Sequence, residues 1–205
     1  MKKLSLIALI AILTACAGPP KGTEVDRSKV DHSTMDHSKT DHSKMESSPG
    51  AAEQPYDLQF IDTMIVHHQG AVDMALLVKT RSRQAELIAF AASIINDQAK
   101  EIAQMKKWRE DRFAGKPAAV NMNLAGMQDG MKGMDMPKLD SLKDREFDLE
   151  FIKQMVPHHE GAVVMAKEAL QKSENAEIKN LAKSIINSQD VEIKKMRDWR
   201  SSWDK

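Results

Sequence analysis

Residues 57–109 recur at 148–200 without a gap, so the fold must be one that two copies of a single unit can build. The segment DLQFIDTMIVHHQGAVDMA aligns with DLEFIKQMVPHHEGAVVMA, and SIINDQAKEIAQMKKWR with SIINSQDVEIKKMRDWR. About half of the aligned positions are identical, a level expected of duplicated structural units. The two copies act as a control on each other. Leu76/Lys167, Lys79/Leu170 and Ala103/Lys194 have drifted, as surface positions do, whereas Met64, His67, His68 and Met74 return as Met155, His158, His159 and Met165. Gln98/Gln189, Glu101/Glu192 and Trp108/Trp199 are also kept.

Phe60, Met64, His67, Ala71, Met74 and Val78 recur at alternating spacings of four and three, the stripe of an amphipathic helix beginning near Asp57. A second helix is expected over about 84–112, with Leu87, Ile94, Gln98, Glu101, Met105 and Trp108 on its stripe. The second copy predicts helices over about 141–171 and 174–202, and no alternating β-branched run reads as a strand. Short polar turns at 80–83 and 172–175 make each copy an antiparallel hairpin. The linker between the copies, about 113–140, is much longer. It is long enough to run the length of a roughly 23-residue helix, about 35 Å. The expectation is an all-α protein, a ferritin-like four-helix bundle of two duplicated hairpins joined by a long crossover, with residues 56–205 as the folded domain. Pro157, where the first copy has Val66, predicts a kinked helix beside the histidines rather than a chain break.

The chain opens with Lys2 and Lys3, an apolar run from Leu4 to Leu13, and Leu13-Thr14-Ala15-Cys16, a secretory signal too short to span a membrane as a helix. The tetrapeptide resembles a bacterial lipobox. Cys16 is therefore expected to carry lipid, and Ala17 after it, not aspartate, points to the outer membrane, facing the periplasm, if the host has one. Cys16 is also the only cysteine, so its lipidation leaves no thiol for a disulfide, a nucleophile or a thiolate metal site. Net charge is zero and aromatic residues are few, which excludes the electrostatic footprint and stacking platforms of a nucleic-acid binder. Residues 17–55, rich in Ser, Lys, Asp, Gly and Pro, are expected to form a disordered tether.

Without thiols, soft-metal chemistry falls to Met and His. Met64 shares a helix face with both His67 and His68, and Gln98 and Glu101 point from the second helix toward the bundle interior. A methionine at a core position is ordinarily plastic packing, and a lone histidine is ordinarily a satisfied core residue. Four histidines in two matching pairs shift that balance toward metal ligation by His67, His68, His158 and His159. The thioethers of Met64, Met74, Met155 and Met165 read equally as ligands and as packing, while Met105 and Met196 read first as core. Glu101 and Glu192, with Gln98 and Gln189, read as partners that orient the imidazoles by accepting their second N–H.

Two further segments carry the same chemistry. The tether reads DHSTM, DHSKT, DHSKM, presenting His32, His37 and His42 with Met35 and Met45. The linker holds Met122, Met127, Met131, Met134 and Met136, which are expected to be exposed because a Gly- and Asp-containing loop buries little. A low-complexity spacer and a loop docked on the bundle are the plainer readings; weak multivalent copper capture is the chemical one.

The pattern MxxHHxxAxxMA at Met64–Ala75 and Met155–Ala166, followed by QxxEIxxMxxW, resembles the domain of unknown function 305 family over about residues 55–203. The resemblance implies a ferritin-like four-helix bundle, commonly secreted, with some members linked to copper binding and tolerance. Val66 departs from it, since Pro157 is the more usual residue. The leading expectation is a non-enzymatic, lipid-anchored envelope protein that binds copper, as Cu(I), Cu(II) or Ag(I), for sequestration, tolerance or transfer to another copper-handling envelope protein. A di-metal oxidase using iron or manganese is the alternative, weakened because the Glu-x-x-His pairs of such bundles are absent. A structural module whose histidines only close polar networks is the third.

Overall fold

The computed structural model describes residues 45–203. Cys16, His32, Met35, His37 and His42 lie outside these residues, as does most of the tether. A short 3-10 turn at Ala51–Glu53 leads into α1 (Tyr56–Arg81) and α2 (Ala85–Phe113). The linker then forms α3 (Met127–Met131) and α4 (Met136–Ser141), and the second copy forms α5 (Asp144–Lys172) and α6 (Ala176–Trp203). No strand occurs among the described residues.

The two hairpin turns use one device. Ser82 Oγ accepts from the Gln84 N–H at 3.0 Å, and its repeat equivalent Ser173 accepts from the Asn175 N–H at 3.1 Å. Each serine thus reverses the chain by a local side-chain bond, and both are buried. Helix α5 starts later than the periodicity predicts. Residues 136–141 form a helix of their own, started by Asp135, whose carboxylate accepts from the Lys138 N–H at 2.9 Å. Asp144 then opens α5 with a left-handed φ of 52°, a conformation that aspartate tolerates better than most residues. Pro157 lies inside α5, which continues to Lys172.

Named contacts fix the helix directions. His67 of α1 lies against His158 of α5, and the Lys172 ammonium sits 5.5 Å from the centre of the Tyr56 ring, so these helices are antiparallel. Trp199 Nε1 donates to Glu86 Oε2 at 3.2 Å and Arg112 pairs with Glu177, so α2 and α6 are antiparallel as well. With α2 and α5 therefore running the same way, the linker must return along the bundle. It follows α1: Ala119 N–H donates to Asp62 at 2.8 Å, Met134 lies over Gly70, and Asp140 pairs with Arg81. This is the four-helix arrangement with one long crossover.

Because the linker covers it, α1 is buried around much of its circumference, including Gln59, Asp62, Thr63 and Asp73, whereas α2 buries a single stripe from Leu87 to Trp108. The linker methionines are not exposed. Met127, Met131, Met134 and Met136 are buried in the same core as Phe60, Phe147 and Phe151, and Met122 packs partly against it. The linker is docked on the bundle, which overturns the expected exposure of these methionines. The expected boundary at residue 56 also moves: Ser48 N–H donates to Val120 C=O at 2.8 Å, and Ser47 Oγ accepts from Met122 N–H at 2.9 Å. Ser47 and Ser48 are thus bonded to the linker, and the carbonyls of Ala52 and Gln54 accept from Gln59 of α1, contacts that the polar composition of 45–55 alone concealed.

Candidate metal centre

Each repeat contributes adjacent histidines near the middle of its first helix, and a helix directs neighbouring residues about 100° apart. The two imidazoles consequently take different partners. His68 turns toward α2, where its Nε2–H donates to Glu101 Oε2 at 2.7 Å; His159 turns toward α6 and donates to Glu192 Oε2 at 2.9 Å. A carboxylate only accepts, so this bond fixes the proton on Nε2 and leaves the lone pair on Nδ1. Both Nδ1 atoms are buried without a hydrogen-bond partner among the described residues.

His67 and His158 turn the other way and meet between the repeats, with ring centroids 3.8 Å apart and planes inclined by 38°. Both are buried. Neither nitrogen of His67 has a hydrogen-bond partner among the described residues. Burial, then the neighbouring His68 and His159, hold the His67 imidazole well below its ordinary pKa, so it is neutral and retains a donor lone pair. Orphaned buried polar atoms cost about 1–3 kcal/mol each. A fold that gathers three imidazoles with such atoms therefore holds groups that a metal ion would satisfy.

The linker closes the histidine pair. A Cβ on Gly70 would lie 3.3 Å from His158 Nε2 and 3.4 Å from Met134 Sδ, so the imidazole and the thioether converge over the bare face of that glycine. On the other side, a Cβ on Gly130 would lie 2.8 Å from His67 Nε2. Gly161, the repeat equivalent of Gly70, has Gly126 and Gly130 packed directly against it. These glycines were not singled out as site residues from the sequence. The signal was there: HHQG and HHEG keep a glycine inside a helix, where it costs about 1 kcal/mol relative to alanine.

Met64, Met74, Met155 and Met165 are fully buried in the core, Met64 and Met155 one turn before their histidines. The amides of Gln98 and Gln189 are also buried, and Gln98 Oε1 and Nε2 and Gln189 Oε1 have no partner among the described residues. They sit one turn before Glu101 and Glu192 and do not bond to the histidines. Among the described residues no three of His, Cys, Asp and Glu converge as a metal-binding group.

The chain matches the family described as Domain of unknown function (DUF305) over residues 8–109 and 57–200. No curated protein is similar to it. Among solved structures it is similar to CopM in the Cu(I)-bound form, at 37% identity and a TM-score of 0.62, with 73% of this chain and 99% of that chain covered. CopM in the Cu(II)-bound form gives 39% identity and a TM-score of 0.63, with 73% and 99% covered. A putative secreted DUF305 protein from Streptomyces coelicolor gives 30% identity and a TM-score of 0.64, with 72% and 91% covered. Both matched ranges contain a whole HH-containing hairpin, and the second spans the entire duplicated bundle: the chain belongs to the DUF305 family.

Proposed function

We propose that this protein binds copper as cargo at a centre formed jointly by its two repeats, with His67 and His158 as the central donors and Met134 closing the site. The contact between those two imidazoles carries the reading. Imidazoles and a thioether form a set suited to Cu(I) and Ag(I), and imidazole also takes Cu(II). CopM, a structural relative, is known in Cu(I)-, Cu(II)- and Ag-bound forms, which supports the same cargo here. The lone-pair Nδ1 atoms of His68 and His159 supply further donors, each backed by a carboxylate that fixes its tautomer. Among the described residues no carboxylates converge with the histidines as a bridged iron or manganese oxidase would need. Metal binding and release, without catalysis, is the role this centre serves best. Export, lipid attachment at Cys16 and a location on the cell envelope belong to the same proposal, supported by the sequence pattern at residues 2–16.

The test is titration of the reduced protein with Cu(I) against a competing chelator, for the native chain and for His67→Ala/His158→Ala. The native chain is expected to take copper from the chelator and the double variant to lose at least one equivalent. Unchanged stoichiometry and affinity in the variant would overturn the reading.

A further inference from the structure

Away from the histidines, an open cavity of about 440 Å³ lies where the segment before α1 meets the linker. Its wall includes Met45, Met122 and Met131, together with Gln128, Asp129 and Lys132. The three methionines come from three separate stretches of chain. Met45 ends the third DHS motif, Met122 lies in the early linker and Met131 ends α3. Two bonds hold Met45 and Met122 together: Ser48 N–H to Val120 C=O at 2.8 Å, and Met122 N–H to Ser47 Oγ at 2.9 Å. Met131 is buried apart from its face on the cavity, while Met45 and Met122 are half-buried. All three line one open volume while packing on or within the core.

We infer that this cavity is a second soft-metal site, in which the thioethers of Met45, Met122 and Met131 take a monovalent d10 ion, Cu(I) or Ag(I), from solution. Three neutral sulfurs suit a soft ion and offer little to Mg²⁺, Ca²⁺ or Zn²⁺, which need oxygen, imidazole or thiolate donors. Asp129 and Lys132 stand on the same wall, so their charges balance and the ion would be held by the sulfurs. The site also touches the inner centre through one turn of helix. Met131 follows Gly130, whose Cα lies so close to His67 that a Cβ there would be 2.8 Å from Nε2. The identity of the ion rests on the proposed function of the histidine pair, and the cavity is a separate site whose nearest tie to that pair is the Gly130–Met131 step of the chain.

The test uses the full chain labelled at the methionine methyls, titrated with Ag(I), which does not change oxidation state. The methyl resonances of Met45, Met122 and Met131 are expected to shift with the first equivalents, and Zn²⁺ should leave them in place. Met45→Leu/Met122→Leu/Met131→Leu, a volume-conserving change, should lose one Ag(I) equivalent and keep the equivalent that His67→Ala/His158→Ala removes. Unmoved methyl signals, or full stoichiometry in the triple leucine variant, would overturn the cavity site and leave the histidine centre standing. A native chain that binds no Ag(I) at all would overturn both. The methyl readout is made on the native chain, so it decides the matter even if the triple variant fails to fold.

Discussion

The imidazoles of His67 and His158 meet across the junction of the two repeats, 3.8 Å between ring centroids and tilted by 38°. Duplication therefore brings one histidine of each pair together between antiparallel helices, with the second held toward its own hairpin by Glu101 or Glu192.

Burial of His67 makes acid costly to the metal-free protein. The unfolded chain protonates this residue below about pH 6.5, while the folded chain keeps it neutral because its pKa is depressed. The unfolded state then binds more protons, so the contribution to stability is present above the unfolded value and is lost as pH falls below it. The slope is about 1.4 kcal/mol per pH unit, until the folded imidazole itself takes up a proton. Urea midpoints of the metal-free protein between about pH 7 and pH 5 should fall, and His67→Gln should flatten that dependence.

Glu101 and Glu192 hold His68 and His159 in the tautomer whose Nδ1 is a donor. Glu101→Gln/Glu192→Gln preserves shape but removes the negative charge, and losing such an outer partner costs about 10- to 100-fold in metal affinity. Cu(I) competition should show a loss of that size with helical content unchanged in circular dichroism. Native affinity in the double variant would mean that His68 and His159 are structural.

The four long helices and the long crossover are legible in the sequence because the apolar period persists for more than twenty residues in each. Gln98 and Glu101 likewise fall on the inner stripe as their spacing requires. What spacing does not carry is contact between repeats. Nothing local says that His67 should meet His158 while His68 turns to its own hairpin, since that depends on how α1 and α5 cross. The linker misleads for a related reason. Gly126 and Gly130 read as loop residues, yet they are what lets α3 approach Gly161 closely enough to bury Met127 and Met131. Val66 in place of proline leaves α1 as continuous as α5, which accommodates Pro157.

The repeat-equivalent glycines should respond differently to alanine. At Gly70 the added Cβ meets the tip of Met134 at 3.1 Å, a flexible side chain that can turn aside, and the helix gains from losing a glycine. At Gly161 it meets Gly126 C=O at 2.5 Å and Gly130 Cα at 2.7 Å, both backbone atoms. Gly161→Ala should destabilise by about 1–3 kcal/mol, the usual cost of overpacking, and Gly70→Ala by less. Thermal unfolding of the two variants side by side checks the order; equal melting points would mean that α3 is not seated against α5 in solution.

Asp62 anchors the start of the linker, and its repeat equivalent is the exposed Lys153, so the linker can dock in this way on one repeat only. One carboxylate oxygen accepts from Arg109 Nε at 3.1 Å and the other from Ala119 N–H at 2.8 Å. Arg109 in turn donates to the carbonyls of Phe113, Lys116 and Pro117, tying the end of α2 to the chain that leaves it. Removing the carboxylate leaves the Arg109 Nε–H and the buried Ala119 N–H without their acceptor. The expected cost of Asp62→Ala is about 2–4 kcal/mol, from the charged hydrogen bond and the orphaned donors, whereas Lys153→Ala should change stability by less than about 0.5 kcal/mol. Hydrogen exchange distinguishes the two effects. In Asp62→Ala the amides of Ala119 and Asn121 should lose protection first, ahead of the α1 core, because the linker detaches before the bundle opens.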